Sequence, residues 1–319
     1  MNGLAKYGLM GIILIAVLSA CGGAGAPAEP AVRAGDPDAA VSADGVPIHY
    51  RMEGEGDYSL VFVHGWCADM TYWVRQVPSF RVYYRVVTMD LAGHGRSGME
   101  RTSWTMDSFA RDVEAVVKKL ELDNVILVGH AMGGNVILEA ARLMPRRVIG
   151  LIGIDTFSDI YLRPQSPERI SVMLEVFRPD FSEGIRKYAL ENYFRSNSTE
   201  PYRKRIVLDL AESKAEIALP VLEDQLRFDG AAALDSLSVP IRAINTDRPV
   251  LPFGIIRERA KDFKLKFMKN VGHFLMQEDP SAFNRLMAEW LGEIIQASYQ
   301  RRAGGFNPAG TSARSLGGV

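Results

Sequence analysis

A short run of small residues between a strand and a helix is the segment of this sequence best suited to chemistry. The apolar stretch Val125–Val128 leads into Gly129–Gly133, which reads Gly-His-Ala-Met-Gly, and a helical pattern starts at Met132. This context fits the Gly-X-Ser-X-Gly turn, in which small flanking residues let the chain pass closely and the central residue stands clear of the sheet as a nucleophile. Free N–H groups at the start of the helix favour a developing negative charge there. The central residue here is Ala131, whose methyl group cannot attack a substrate.

Three other segments come directly after predicted strands and carry histidine, aspartate or closely spaced glycines. They are His64-Gly65-Trp66 after the strand Ser59–Val63, Asp90–Ser97 after the strand Arg85–Met89, and Gly272-His273-Phe274 after the strand Lys264–Lys269. Together with the turn at 129–133, and in this order, these segments resemble the α/β-hydrolase superfamily in its branch with a helical lid. The resemblance covers roughly residues 40 to 297.

The resemblance implies a site of the serine-histidine-acid type, in which Ala131 occupies the position of the nucleophilic serine. His273 is the implied base. The backbone N–H groups of Trp66 and Met132 are the implied oxyanion donors.

The acid of this site is predicted to be Asp247, because the family expects a carboxylate just after the strand Ile241–Ile244. Asp155 is the alternative, since some family members place the acid at the end of the preceding strand. An aspartate at such a strand end often only braces a loop. Asn245 stands where the family usually has glycine, which leaves the geometry of this loop open.

The other four histidines are weaker candidates for the base than His273. His64 is expected to brace the segment that carries Trp66, His94 lies in the glycine-rich loop, His130 precedes Ala131, and His49 lies on an early strand. Cys67 is interpreted as a small buried hydrophobic residue because nothing aims it at His273. No residue spacing suggests a metal site and no glycine-rich phosphate loop occurs, so no cofactor is expected.

Composition and pattern indicate a large globular α/β protein. The chain has 319 residues, 47% hydrophobic residues and a formal net charge of −1, which disfavours nucleic acid as a partner. Apolar strands separated by helices predict a mostly parallel sheet covered by helices on both faces. Within this pattern we expect a short helix near Thr71–Val77 and a closing helix over Pro280–Ile295.

The same pattern predicts the domain organisation. The α/β-hydrolase core is expected over residues 40–155 and 239–297, with an inserted helical cap at 156–238. Residues 21–39, rich in Gly, Ala and Pro, are expected to form a flexible tether. Residues 298–319 are expected to be a disordered tail.

The N-terminus is predicted to be a lipoprotein signal peptide over residues 1–20. Leu18-Ser19-Ala20-Cys21 looks like the lipobox of bacterial lipoproteins, in which cleavage precedes a cysteine that receives acyl chains. The resemblance implies lipidation at Cys21 and a membrane partner. It also implies a location in the bacterial cell envelope, with the outer membrane facing the periplasm favoured because Gly22 is not aspartate.

Three functional interpretations follow from Ala131. The chain is an esterase in which alanine replaces the serine, with a small acyl or ester-type ligand and little or no turnover as written. It is alternatively a pseudo-hydrolase, a lipid-anchored module that binds such a ligand. In the third interpretation the scaffold serves only protein contacts at the membrane.

Overall fold

Strands rich in Val, Ile and Leu form the centre of one sheet, where both faces are buried. The computed structural model describes residues 29–247 and 251–304. In this part of the chain, eight strands pair in the order β1-β2-β4-β3-β5-β6-β7-β8. β1 and β2 pair antiparallel, β2 is antiparallel to β4, and all the other neighbours are parallel. The strands are β1 Ala39–Val41, β2 Pro47–Glu53, β3 Ser59–Val63, β4 Arg85–Met89, β5 Val125–His130, β6 Val148–Ile154, β7 Ile241–Thr246 and β8 Phe263–Met268.

Helices cover both faces, so the predicted α/β fold class, a mostly parallel sheet with flanking helices, is confirmed. Alternate residues of β3 enter different cores: Val61 packs into the cluster that contains the second and third helices, whereas Phe62 packs into the cluster that contains the last helix. This two-sided burial explains why the strands are continuously apolar. The α-helices are α1 Val77–Phe80, α2 Met106–Lys119, α3 Met132–Leu143, α4 Asp159–Leu162, α5 Pro167–Glu175, α6 Phe181–Asn192, α7 Glu200–Ala211, α8 Ala215–Arg227, α9 Gly230–Asp235, α10 Gly254–Arg259, α11 Leu275–Glu278 and α12 Pro280–Gly304.

The helix predicted over Thr71–Val77 is wrong. A 3-10 helix at Met70–Trp73 and the short α1 replace it. Asp69 fixes the start of the 3-10 turn by accepting a hydrogen bond from the N–H of Thr71 at 2.7 Å. Pro78 has no N–H and suits only a first helical turn, so a new helix begins beside it.

Both ends of the folded domain reach beyond their predicted limits. Val32 is buried and its N–H donates to the carbonyl of Arg96 at 2.8 Å, so the predicted tether at 21–39 is wrong for its last residues. The predicted tail is wrong from 298 to 304, because α12 continues through these residues and the Arg301 guanidinium donates to the carbonyl of Ile149 at 2.8 Å. The predictions for residues 1–20 and Cys21 lie outside the described residues, as does the rest of the tail.

None of the helices in the described ranges combines the length and the apolar character that crossing a bilayer requires.

Candidate active site

The turn between β5 and α3 has the sharp geometry that its sequence predicts. Ala131 has φ 48° and ψ −113°, a backbone conformation that costs a residue other than glycine about 1–3 kcal/mol. A Cβ atom on Gly129 would lie 2.3 Å from the carbonyl oxygen of Gly133, and one on Gly133 would lie 2.6 Å from that of His64. The N–H of Ala131 donates to the carbonyl of Ile154 at 2.9 Å. The turn is therefore fixed between β3 and the end of β6.

His273 is oriented by Asp155, which directly follows β6. The Nδ1 atom of His273 lies 2.6 Å from Oδ2 of Asp155, and both side chains are largely buried. The other carboxylate oxygen accepts a hydrogen bond from the N–H of Thr246 at 3.1 Å. A carboxylate on Nδ1 keeps the proton on that nitrogen and leaves Nε2 as the basic atom. His273 and Asp155 thus have the geometry of a histidine base and its orienting acid.

The prediction that Asp247 orients His273 is wrong, and the alternative, Asp155, has this position. The physical reason is the length of β7, which runs two residues beyond the predicted end and places Thr246 against Asp155. The N–H of Asp247 then donates to Met268 at 3.2 Å and continues the pairing with β8. Its carboxylate forms an ion pair with Arg195 of the inserted cap.

His130 supports His273 from the side of the turn. The Nε2 of His130 donates to the carbonyl of His273 at 3.0 Å, and the two ring centroids are 4.6 Å apart. Burial, and then the charge of the neighbouring His273, lower the pKa of His130 well below its usual range. His130 therefore stays neutral and acts as a fixed donor.

The segment predicted to supply an oxyanion donor lies against the turn. A Cβ atom on Gly65 would be 3.3 Å from the Cβ of Ala131. Among the residues that the structure describes, the N–H groups of Trp66 and Met132 have no hydrogen-bond acceptor. Stabilisation of an oxyanion requires such N–H donors next to the site. The role of Trp66 and Met132 as these donors stays a prediction, and their position is compatible with it.

His64 braces this segment, as the sequence predicts. Its Nδ1 donates to the carbonyl of Gly65 at 2.8 Å, and its Nε2 accepts from the N–H of Leu91 at 3.0 Å. Burial, and then the nearby His94, lower the pKa of His64 to about 3. The ring is therefore neutral at physiological pH, with both nitrogens engaged.

The cap contributes an aromatic wall beside the oxyanion segment. The indole N–H of Trp66 donates to the carbonyl of Ala218 in α8 at 2.8 Å. Its ring makes edge contacts with Phe177 and Phe181, with centroid distances of 5.2 and 5.9 Å. Trp66 thus links the oxyanion segment to three parts of the cap.

Cys67 is buried and has a left-handed backbone conformation, with φ 60°. Burial raises the pKa of its thiol to about 12, so it remains protonated and weakly nucleophilic at physiological pH.

His49 pairs with Asp90 at 2.8 Å, and the ring of His94 bonds the carbonyl of Ala92 at 3.0 Å. In the described ranges, no three His, Cys, Asp or Glu residues are grouped as metal ligands would be.

Residues 60–286 match the alpha/beta hydrolase family. The match covers more than half of the chain, and the chain belongs to this family.

Individual relatives are similar over parts of the chain. The dihydrolipoyllysine-residue acetyltransferase component of an acetoin cleaving system from Pseudomonas putida is 36% identical over 102 residues, which cover 32% of this chain and 28% of that protein. A non-heme chloroperoxidase from Burkholderia pyrrocinia is 33% identical over 171 residues, covering 50% of this chain and 58% of that protein. The chain therefore spans about a quarter to three fifths of the lengths of these relatives.

Solved structures share the fold. An esterase from Exiguobacterium antarcticum superimposes with a TM-score of 0.72 at 19% sequence identity, over 80% of this chain and 98% of that chain. At this identity the similarity concerns the fold alone.

Proposed function

We propose that this chain is a serine-hydrolase type of scaffold for carboxylic esters or similar acyl compounds, in which Ala131 occupies the nucleophile position. The observation that carries the proposal is the strained conformation of Ala131 beside the His273–Asp155 pair. An alanine gains nothing from this conformation, whereas a nucleophile held there is exposed to substrate and to a base.

With serine at position 131, each group has a defined task. The hydroxyl proton passes to Nε2 of His273 while the oxygen attacks the ester carbonyl, and Asp155 stabilises the imidazolium that forms. The N–H groups of Trp66 and Met132 stabilise the oxyanion. Return of the proton to the leaving alcohol releases it and leaves an acyl-enzyme, which water then hydrolyses.

With alanine at position 131 the acyl-enzyme cannot form. Loss of the nucleophile of such a triad lowers turnover on the order of 10⁶-fold, and the residual rate comes from the oxyanion donors and binding. The chain as it stands is therefore expected to be nearly inactive toward esters. The buried aromatic cluster of Trp66, Phe177 and Phe181 beside the turn supports an apolar acyl group as the ligand class.

The proposal is tested by restoring the hydroxyl. Ala131→Ser should become labelled by a fluorophosphonate probe, which modifies only an activated serine. Ala131→Gly is the matched control, because it changes the same turn without adding a nucleophile. Ala131→Ser combined with His273→Gln should lose the labelling. A folded Ala131→Ser variant that resists the probe would exclude the serine-hydrolase assignment.

A second candidate function is a ligand-binding module without turnover. Two observations favour it. Within residues 29–247 and 251–304 the N–H groups of Trp66 and Met132 have no acceptor, so they are available to a carbonyl or carboxylate oxygen, and the neutral thiol of Cys67 offers no substitute nucleophile. Short-chain esters and their acids should then raise the thermal unfolding midpoint of the unmodified chain. The absence of any stabilising compound in such a set would argue against binding.

We also propose that the chain is anchored to a bacterial membrane through lipid on Cys21. The lipobox-like sequence Leu18-Ser19-Ala20-Cys21 supports this proposal. Cys21→Ser should abolish incorporation of labelled palmitate and release the protein from the membrane fraction. Membrane retention of the Cys21→Ser protein would show a different anchor.

A further inference from the structure

The loop that carries His273 is tied to one short segment of the inserted cap. This segment, residues Tyr193–Ser198, connects α6 with α7 and is called the cap strap here. The N–H of His273 donates to the carbonyl of Tyr193 at 2.8 Å. A Cβ atom on Gly272 would lie 2.2 Å from that same carbonyl oxygen, so this approach of the two chains requires glycine.

The side chains of the cap strap extend these contacts along the loop. Arg195 donates through Nε to the carbonyl of Val271 at 3.2 Å, in addition to its ion pair with Asp247. The amide of Asn197 donates to the carbonyl of Asn270 at 3.1 Å, and the hydroxyl of Ser198 to the carboxylate of Glu278 at 3.1 Å. The base-bearing loop is therefore held by the cap on both sides of His273.

The imidazole of His273 contacts the rings of Tyr193 and His130. The Tyr193 ring is stacked on it, with a centroid distance of 4.5 Å and an interplanar angle of 21°. On another side, the His130 ring is 4.6 Å away and tilted by 49°. The Asp155 hydrogen bond fixes the direction of Nδ1, and the stacked Tyr193 ring restricts tilting of the ring plane.

We infer that Tyr193 is a positioning residue for the base, so that the cap, as well as the core, determines where Nε2 of His273 points. This inference rests on the proposed function for the role of His273 as a base. Sequence reasoning did not single Tyr193 out as a partner of His273, because an aromatic residue in a helical cap usually packs in its interior. In the structure its ring also contacts Tyr188 and Phe274, which fix it in place.

The first test needs no catalytic activity and uses the unmodified chain. NMR should show a downfield proton resonance from Nδ1–H of His273 that disappears in Asp155→Asn. Tyr193→Met keeps apolar volume but removes the ring, and should broaden or remove this resonance. Tyr193→Phe keeps the ring and the backbone contact and should retain it. Tyr84→Met is the matched control and should retain the resonance, because Tyr84 is a partly buried tyrosine that packs on Phe80 and not on the cap strap.

The second test measures ester hydrolysis in the Ala131→Ser background. Tyr193→Met should lower kcat by about 10- to 100-fold, the loss that a small misplacement of a catalytic group causes, with little change in KM. Tyr193→Phe should restore kcat. Tyr193→Leu replaces Tyr193→Met if the methionine variant does not fold.

The two readouts separate failure of this inference from failure of the proposed function. If Ala131→Ser is inactive, the resonance in the unmodified chain still decides whether Tyr193 orients His273. A folded Tyr193→Met variant with an unchanged resonance would overturn the inference, as would a kcat equal to that of its parent.

Discussion

Nδ1 of His273 lies 2.6 Å from Oδ2 of Asp155, although more than a hundred residues and the entire cap separate the two in the chain. The parallel sheet brings them together, because Asp155 follows β6 and His273 follows β8, and these two strands run parallel on either side of β7. Asp155 follows β6 directly, and Thr246 at the end of β7 donates to its second oxygen. The acid and the base are therefore placed by strand ends.

Asp155 and Asp247 should differ sharply in their importance for catalysis. In the Ala131→Ser background, Asp155→Asn should lower kcat by about 10⁴-fold, because an amide favours the wrong imidazole tautomer. Asp247→Asn weakens only the part-exposed ion pair with Arg195 and should cost at most roughly fivefold, as such pairs contribute about 0–1 kcal/mol. Steady-state hydrolysis of a nitrophenyl ester measures both values, and a larger loss in Asp247→Asn would assign the acid to Asp247.

Glycine-to-alanine changes should have opposite effects on stability at two positions. Gly129→Ala places a Cβ 2.3 Å from backbone oxygen and should lower the free energy of unfolding by roughly 1–3 kcal/mol or more. Gly292→Ala lies in α12, where the added Cβ meets no atom within 4 Å, and should raise it by about 0.5–1 kcal/mol. Urea unfolding of the two variants provides the comparison. Equal effects at the two sites would contradict the close approach within the turn.

The stability of the fold should decrease as the pH falls, in part through His64. Its pKa is about 3 in the folded chain and 6.5 without the fold, so between these values the unfolded chain binds a proton that the folded chain does not. The contribution of His64 to the free energy of unfolding is therefore highest above pH 6.5 and decreases as the pH falls below it. This one group lowers the free energy of unfolding by about 1.4 kcal/mol per pH unit.

The contribution of His64 is isolated by a variant that does not titrate. His64→Gln should be less stable at neutral pH because the contacts with Gly65 and Leu91 are weakened. Its free energy of unfolding should nevertheless fall less steeply between about pH 4 and 6 than that of the unmodified chain, by about 1.4 kcal/mol per pH unit. An unchanged slope would mean that His64 is protonated in the folded state.

The elements and the turn followed from local sequence patterns. The bounds of β3 and β4 and the start of α3 agree with the prediction, because continuous apolar runs and the glycines around Ala131 are local signals. The start of α2 also has a local cause: Thr105 and Ser108 form reciprocal hydrogen bonds that cap the helix.

The partners of His273 could not be obtained from the same patterns. The choice between Asp155 and Asp247 depends on where β7 ends relative to β6, and a register of this kind is set by tertiary pairing. The contact of Tyr193 with His273 depends on how the cap helices pack on the core. The sequence of these helices does not indicate that packing. The continuation of α12 beyond residue 297 likewise depends on a distant contact, between Arg301 and Ile149.

We propose above that position 131 is the nucleophile position of an otherwise assembled hydrolase site. The most direct test of this claim is the pre-steady-state hydrolysis of a nitrophenyl ester by Ala131→Ser, with Ala131→Gly as the control. We predict a burst of about one equivalent of nitrophenol per chain, followed by a slower steady rate, because the acyl-enzyme forms before water removes it. A correctly folded Ala131→Ser protein with no burst and no turnover above Ala131→Gly would contradict the claim.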